Sequence, residues 1–557
     1  MRWFSLGLLL IFSNASQIAA LELRGPKLAA ASNFGQGFVE DLLSKALEVP
    51  VNDFRDAVYW DQVETAGGRF LFETPQTRYP DLLAKAGATM SLTVNNGHHS
   101  HESGNTPTST SAVQAFGRHA AETVLRFPAI NAVEVGNEFN SANFVFGPLK
   151  DAGIDARAEA YAALLQSVWA QVKAVRPNVR VIGGGVHSIP TGYLSRLIAL
   201  GAVDFMDTIA LHPYDTPTEQ IARQIAVMRR LPELAEIPVE ITEFGSQSPK
   251  AAPGYMLRAY CQMALSGVSR AVWYAVNTRG DGYAPLVDKD LGVTNAGRAF
   301  AFVRQTLEGL PVRDVAPDRF TYACLFEDRK LVIWGMPRTL TVMNDHVEVF
   351  DSTGDPLAGD VFHISETDPL ILVTPKPLLL GHDVTLGPQR VLADSYHQFS
   401  FPGARADNQE GLERSVRTPD DQIPVQTMPG QDRPGRPWTP YLGVENNGSV
   451  LIHADSLLPG GSDDYPAEIV HTFTAPRMMR VDIMAHFAPV ARSSDGISVA
   501  VRLDTAELAF HRGKDRFDYV ATGLEIPQGG VLEFVVGPNR SAAGDVTAYR
   551  ITLTQSD

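Results

Sequence analysis

The chain is predicted to fold as a (β/α)8 barrel followed by a small all-β domain and a C-terminal β-sandwich. Three observations predict this. Between residues 27 and 310 short apolar runs alternate with helical patterns, which is how repeated βα units read. No Gly-rich phosphate loop follows the first of these runs, so an open doubly wound sheet loses its main support. Past Leu310 the pattern changes to short β-type runs with Gly, Asp and Pro in the turns. A length of 557 residues accommodates such an assembly, at about 150 residues per domain with room for a larger barrel.

Met1 and Arg2 precede an apolar run from Trp3 to Phe12, a polar patch from Ser13 to Gln17, and Ile18-Ala19-Ala20. That is the layout of a secretory leader over residues 1–20, with the mature chain starting near Leu21. The apolar run is shorter than the roughly 20 residues a bilayer requires, and no later run reaches that length, so no membrane span is predicted. A periplasmic or secreted location in a bacterium is the expectation.

Eight strands are then predicted, at 27–32, 54–60, 89–95, 132–138, 179–184, 205–212, 239–243 and 270–277. Between the fourth and fifth, a helix over 157–175 sets Tyr161, Leu164, Leu165, Val168, Trp169, Val172 and Val175 on one face. Eight strands, each followed by a helix over about 280 residues, match a closed barrel spanning 21–310. Residues 311–380 carry four β-type runs and read as the small β domain, with Leu21–Gly25 available to pair with it. Residues 381–557 hold an irregular Pro/Gly/Asp/Arg-rich stretch at 401–440 and then seven strand-like runs, the pattern of a sandwich.

Asp and Glu outnumber Lys and Arg by 63 to 47, for a net charge of −16, which repels nucleic acid and anionic membranes overall. Cys261 and Cys324 are the only cysteines; they exclude a disulfide framework and a zinc ribbon, and, falling in different predicted domains, they are not expected to be bridged. The run from Asn95 to Glu102 contains His98, His99 and His101, which are zinc-ligand types, but the spacing matches no zinc pattern. Asp288, Asp290 and Asp545 sit in turns, where Asp is commonly structural. No metal and no cofactor is predicted, and the sequence sets no oligomeric state.

Active sites of such barrels lie where the strands end. The fourth predicted strand ends Gly136-Asn137-Glu138 and the seventh ends Thr242-Glu243-Phe244-Gly245. One Glu at a barrel mouth is usually a salt-bridge partner; two, on strands four and seven, are a narrower coincidence. Two carboxyls are what glycosidic bond cleavage requires, one to protonate the leaving oxygen and one to act at the anomeric carbon.

With His212-Pro213-Tyr214 on strand six, Trp273 on strand eight, Phe54-Arg55-Asp56 on strand two and Leu286-Val287-Asp288 before the last helix, residues 27–310 resemble clan A glycoside hydrolases. The three-part arrangement further resembles bacterial polysaccharide hydrolases of family 39. The resemblance implies a retaining mechanism with Glu138 as acid/base, kept protonated by its partner's charge, and Glu243 as nucleophile. It implies that Asn137 meets the sugar 2-hydroxyl, that Arg55 orients Glu243, and that His212 and Tyr214 share one face with Tyr214 donating to Glu243. Trp273 would floor the subsite, and His98 and His99 would be substrate-loop histidines. Without the resemblance, an alternative for Arg55 is an ordinary ion pair with Asp56 or Glu64, and for Trp273 barrel packing. The sandwich resembles a carbohydrate-binding module, with Trp438 and Tyr441 as its exposed aromatics. The implied partner is a polysaccharide or oligosaccharide, a bacterial exopolysaccharide being one candidate. Two alternatives stand beside this: a non-catalytic carbohydrate-binding or polysaccharide-assembly protein on the same scaffold, and a metal-dependent hydrolase built on the histidine loop.

Overall fold

A computed structural model describes residues 22–556 apart from 96, 404–410 and 446; the predicted leader, residues 1–20, lies outside them. Eight parallel strands close into a barrel: β1 (Lys27–Ala31), β2 (Asp53–Asp56), β3 (Thr89–Val94), β4 (Ile130–Val135), β5 (Arg180–His187), β6 (Thr208–His212), β7 (Val239–Phe244) and β8 (Val268–Tyr274). Closure is made by β8 against β1, where Ala29 lies opposite Val272. The helix Gly153–Val175 buries Tyr161, Leu164, Leu165, Val168 and Val172, as its three- and four-residue spacing requires. Val175, at the helix end, stays 40% exposed. No helix among the described residues is long and apolar enough to cross a membrane.

Alternate residues of each strand point into the barrel, and there the interior is small or charged. Ala29, Ala31 and Val272 form one apolar cluster and Ala132, Ile182 and Ala210 another. Near the strand starts Arg270 donates from Nε to Asp53 at 3.0 Å and from Nη1 to Glu240 at 3.3 Å. Near the strand ends Arg55 meets Glu134 and Glu243. The barrel is therefore braced across its width by two buried ionic layers, not by an aliphatic plug.

Beyond the helix Asn295–Thr306, residues 312–386 form two antiparallel sheets, with Thr321–Phe326 and Lys330–Gly335 paired at the centre of the larger. The start of the described chain joins this region: Arg24 bridges Pro311, and the Val312 amide donates to the Leu23 carbonyl at 2.9 Å. Residues 391–555 form a two-sheet sandwich. One sheet is centred on Met479–Pro489 and Thr547–Gln555, the other on Pro466–Thr474 and Val531–Pro538, and Ile469, Phe487, Val536 and Ile551 pack between them. Its strand Ala506–Gly513 was not anticipated, because as an edge strand it buries no residue fully and lacks the apolar alternation that marks a core-facing strand.

Two expectations are corrected. Cys261 and Cys324 are joined, with Cα atoms 6.1 Å apart. They do lie in different structural units, but the helix Ala252–Leu265 packs directly against the sheet holding Thr321–Phe326, so separate units still meet at this point. Tyr441 is 2% exposed, a core residue and not a surface aromatic.

Barrel and sandwich are tightly joined. Val227, from the helix Ile221–Met228, is buried in the sandwich core. Arg223 donates to the carbonyls of His397 and Phe399 at 2.9 and 2.5 Å, and the buried Glu219 accepts from Trp334, Tyr396 and Arg258.

The Cys261–Cys324 bond closes a loop with a sequence separation of 63, for which loop-closure entropy gives about 4 kcal/mol of stability. Denaturant unfolding with and without dithiothreitol should show this loss in the parent chain and none on reduction of C261S/C324S. A parent midpoint unmoved by reduction would remove the bond from the stability of the fold.

Candidate active site

The carboxylates reach the barrel mouth by two departures from regular strand geometry. After β4, Gly136 and Glu138 both adopt positive φ, +76° and +50°, and the chain reverses. For Glu138 this conformation costs about 1–2 kcal/mol. Three backbone bonds hold it: Gly136 N–H to the Val94 carbonyl at 2.8 Å, Asn137 N–H to Asn95 Oδ1 at 2.9 Å, and Glu138 N–H to the Gly185 carbonyl at 2.5 Å. On β7 the register against β8 shifts between Ile241 and Phe244. A regular pleat would send Thr242 and Glu243 to opposite faces. With the irregularity both serve the interior, Thr242 bonding Glu134 and Glu243 bonding Arg55.

Arg55 is 7% exposed and fully engaged. Its Nε donates to Glu134 at 2.5 Å, its Nη1 to Glu243 Oε1 at 2.5 Å, and its Nη2 to Asn137 Oδ1 at 3.1 Å. Burial opposes its charge, but Glu134 and Glu243 overcome that and push its pKa further up. The same pairing, against the effect of burial, drives Glu134 far below the usual carboxylate range. Of the ion-pair partners considered for Arg55, Asp56 and Glu64, neither is used. Tyr214 lies just past the end of β6 and its hydroxyl donates to Glu243 Oε2 at 3.0 Å, so each oxygen of Glu243 has one fixed donor.

Glu138 sits against two imidazoles, His212 Nδ1 at 3.1 Å and His187 Nδ1 at 3.3 Å, both on Oε1. Burial raises its pKa, yet the two hydrogen bonds and the charges behind them prevail and hold it at about 2. Despite burial, His187 rises to about 10, with Asp215 on its Nε2 at 2.8 Å, and His212 to about 9. Glu138 therefore rests ionised, with its proton on the imidazoles. This corrects the expectation of a carboxyl kept protonated by Glu243, because two nearer cations outweigh one anion. His212 completes a chain in which Nε2 lies 2.9 Å from Thr242 Oγ1, which donates to Glu134 Oε1 at 2.8 Å. An oxygen of Glu138, an oxygen of Glu243 and a nitrogen of His212 lie within 4.8 Å of one another.

A cavity of about 330 Å³ opens beside Glu243, lined by Arg55, Asn95, Asn137, Tyr274 and Arg279 and flanked by Phe144 and Phe146, which are 39% and 44% exposed. Trp273 does not reach it. It is 0% exposed, packs against Phe244 and Tyr255, and donates to the Ala284 carbonyl at 3.0 Å. Tyr274, one residue on and thus of opposite pleat, lines the cavity instead. His98 is likewise buried: Nδ1 accepts from the Ser100 amide at 3.1 Å, Nε2 lies 2.9 Å from the Glu64 carbonyl, and the ring packs on Trp60. His99 is exposed and pairs with Asp61 at 2.5 Å. Asp61, His98 and His99 place ligand atoms within 4.8 Å of each other, but both His98 nitrogens are already used.

His187, Tyr274, Phe144 and Phe146 were missed in the sequence. His187 ends the fifth strand, and reading strand-end histidines as closely as strand-end glutamates would have found it.

No family model and no curated protein matches this chain. Solved structures do. A family 39 glycoside hydrolase from the gut symbiont Bacteroides cellulosilyticus WH2 matches with a TM-score of 0.52 at 17% identity, over 63% of this chain and 81% of that one. A GH39 enzyme from Xanthomonas axonopodis pv. citri matches at 0.42 and 13%, over 92% and 94%, and a GH39 beta-xylosidase from Caulobacter crescentus at 0.44 and 15%, over 63% and 96%. At 17% identity the likeness to the first establishes the fold, a TIM barrel with appended β domains.

The His187–Glu138 pairing has a defined pH signature. The depressed Glu138 contributes stability above the ordinary glutamate pKa of about 4.3, lost as pH falls toward about 2. The raised His187 contributes below about 6.5, lost as pH rises toward about 10. In H187Q the Glu138 carboxyl, followed by 13C NMR, should titrate nearer the ordinary glutamate range. An unmoved midpoint would show that His187 does not hold the charge.

Proposed function

We propose that the chain is an exported retaining glycoside hydrolase acting on a polysaccharide or oligosaccharide, with Glu243 as nucleophile and Glu138 as acid/base. The observation that carries the reading is the approach of the two carboxylates within 4.8 Å, each with its own set of donors. Inverting enzymes need about 6.5–9.5 Å between carboxyls to admit a water, whereas retaining ones hold them at about 5–5.5 Å. The disulfide supports export, since such bonds persist in oxidising compartments.

In this reading Arg55 and Tyr214 fix both oxygens of Glu243 and aim the carboxylate at the anomeric carbon. Glu243 attacks, the glycosidic bond breaks, and the leaving oxygen takes a proton from Glu138. That proton is held one hydrogen bond away, on His187 and His212, and crosses to Glu138 as the sugar displaces solvent from the mouth. Water then attacks the glycosyl-enzyme, gives its proton to Glu138, and frees Glu243. Asn137, held by Arg55, faces the 2-hydroxyl, and Phe144, Phe146 and Tyr274 supply the flat surfaces that pyranose rings stack on.

Glu243→Gln should lower kcat on every substrate by about ten-thousandfold with the fold intact, and near-parental rates would remove it from the mechanism. Glu138→Ala should cost about 100- to 10,000-fold on natural linkages and much less in glycosylation by aryl glycosides, whose leaving groups need little protonation. Equal losses would sink the acid role. Proton NMR should show first-formed product with the configuration of the substrate; inverted product would mean that water lies between the carboxyls.

A further inference from the structure

We propose that Trp438, brought to the barrel mouth by the sandwich loop 429–440, is the platform for the leaving-group sugar, so that the C-terminal sandwich completes the active site. The inference rests on the glycosidase reading above and adds to it the position of the subsite beyond the scissile bond.

The loop is built into the barrel. The Gly192 amide lies 2.9 Å from the Gly430 carbonyl, and a Cβ on Gly192 would stand 2.5 Å from that same oxygen. Arg196 donates to the Asp432 carbonyl at 2.9 Å. Gln431, 6% exposed, exchanges two bonds with Asn140: Asn140 Nδ2 donates to its Oε1 at 2.9 Å, and its Nε2 donates to the Asn140 carbonyl at 2.9 Å. Asn140 in turn grips His187, accepting from its amide on Oδ1 at 2.9 Å and donating to its carbonyl at 3.0 Å. The loop is thus tied through one asparagine to the backbone of His187, the residue whose imidazole contacts Glu138.

Trp438 stands at the end of this chain of contacts. Its ring meets His187 edge-on, with centroids 5.2 Å apart and planes at 86°, while 37% of the residue stays exposed. An indole held by its neighbour yet open to solvent is suited to stack on a sugar ring. Its side of the mouth is set by Glu138. The cavity beside Glu243 is walled by the loops after β1 to β4 and by Tyr274 and Arg279, and Trp438 is not part of it. An acid protonates the oxygen that departs, so the ring beyond Glu138 belongs to the leaving group.

The test compares two substrates of one glycone: an oligosaccharide that the parent cleaves, and the corresponding glycosyl fluoride, whose leaving group has no ring to stack. W438A should lower kcat/KM on the oligosaccharide by about tenfold or more, at least fivefold beyond its effect on the fluoride, and W438F should recover most of the loss. Thermal midpoints of both variants report on folding. Equal losses on the two substrates, or no loss on the oligosaccharide, in an active parent would overturn this inference alone. A parent inactive on every glycoside would remove the glycosidase reading and this one with it.

Discussion

The guanidinium of Arg55 is the interaction on which the rest of the mouth depends. It is buried, and it links β2 to β4 through Glu134, to β7 through Glu243 and to the turn after β4 through Asn137. Three acceptors on three segments leave little freedom in the relative positions of those strand ends. Removing one partner of a buried pair leaves the other charge uncompensated, at a cost of about 3–5 kcal/mol. The layer of Arg270, Asp53 and Glu240 repeats the device at the other end of the barrel. Between the layers the interior holds alanines with Val272 and Ile182, so shape there is set by backbone closure and at the ends by charge.

What was legible in the sequence followed from periodicity and from strand-end chemistry. Eight apolar runs separated by helical spacing gave the barrel, and Glu138 and Glu243, singled out because carboxylates at strand ends are conspicuous, do lie together at its mouth. The failures have specific physical causes. Trp273 was placed in the site by the resemblance alone, but Tyr274 is the residue of inward pleat and takes that position. His98 looked like a loop histidine and is in fact an anchor beneath Trp60. The disulfide escaped because sequence separation says nothing about which face of a helix meets which sheet. The ionisation of Glu138 escaped for a related reason: it depends on two imidazoles brought from β5 and β6, 49 and 74 residues further along the chain.

The four charged groups around Glu138 behave as one unit. His187 lies between Glu138 and Asp215, His212 between Glu138 and the Thr242–Glu134 pair. Two cations sit among three anions, buried at Glu134 and His212 and open to solvent at Asp215, and each proton position is fixed by all five groups together. A proton can therefore move within the unit with small displacement of any heavy atom. This suits the role proposed for Glu138, acid in one step and base in the next.

The contact of Gly192 with Gly430 bears on how such a chain changes over evolutionary time. A binding module joined by a tether can be exchanged as a cassette, because nothing on the catalytic body is shaped to receive it. Here a glycine on a barrel helix makes room for the backbone of a loop that follows more than two hundred residues later, and Val227 lies inside the sandwich core. Replacing the sandwich would leave a groove cut to a shape that nothing fills. Each substitution on one side of this contact therefore limits what the other side tolerates.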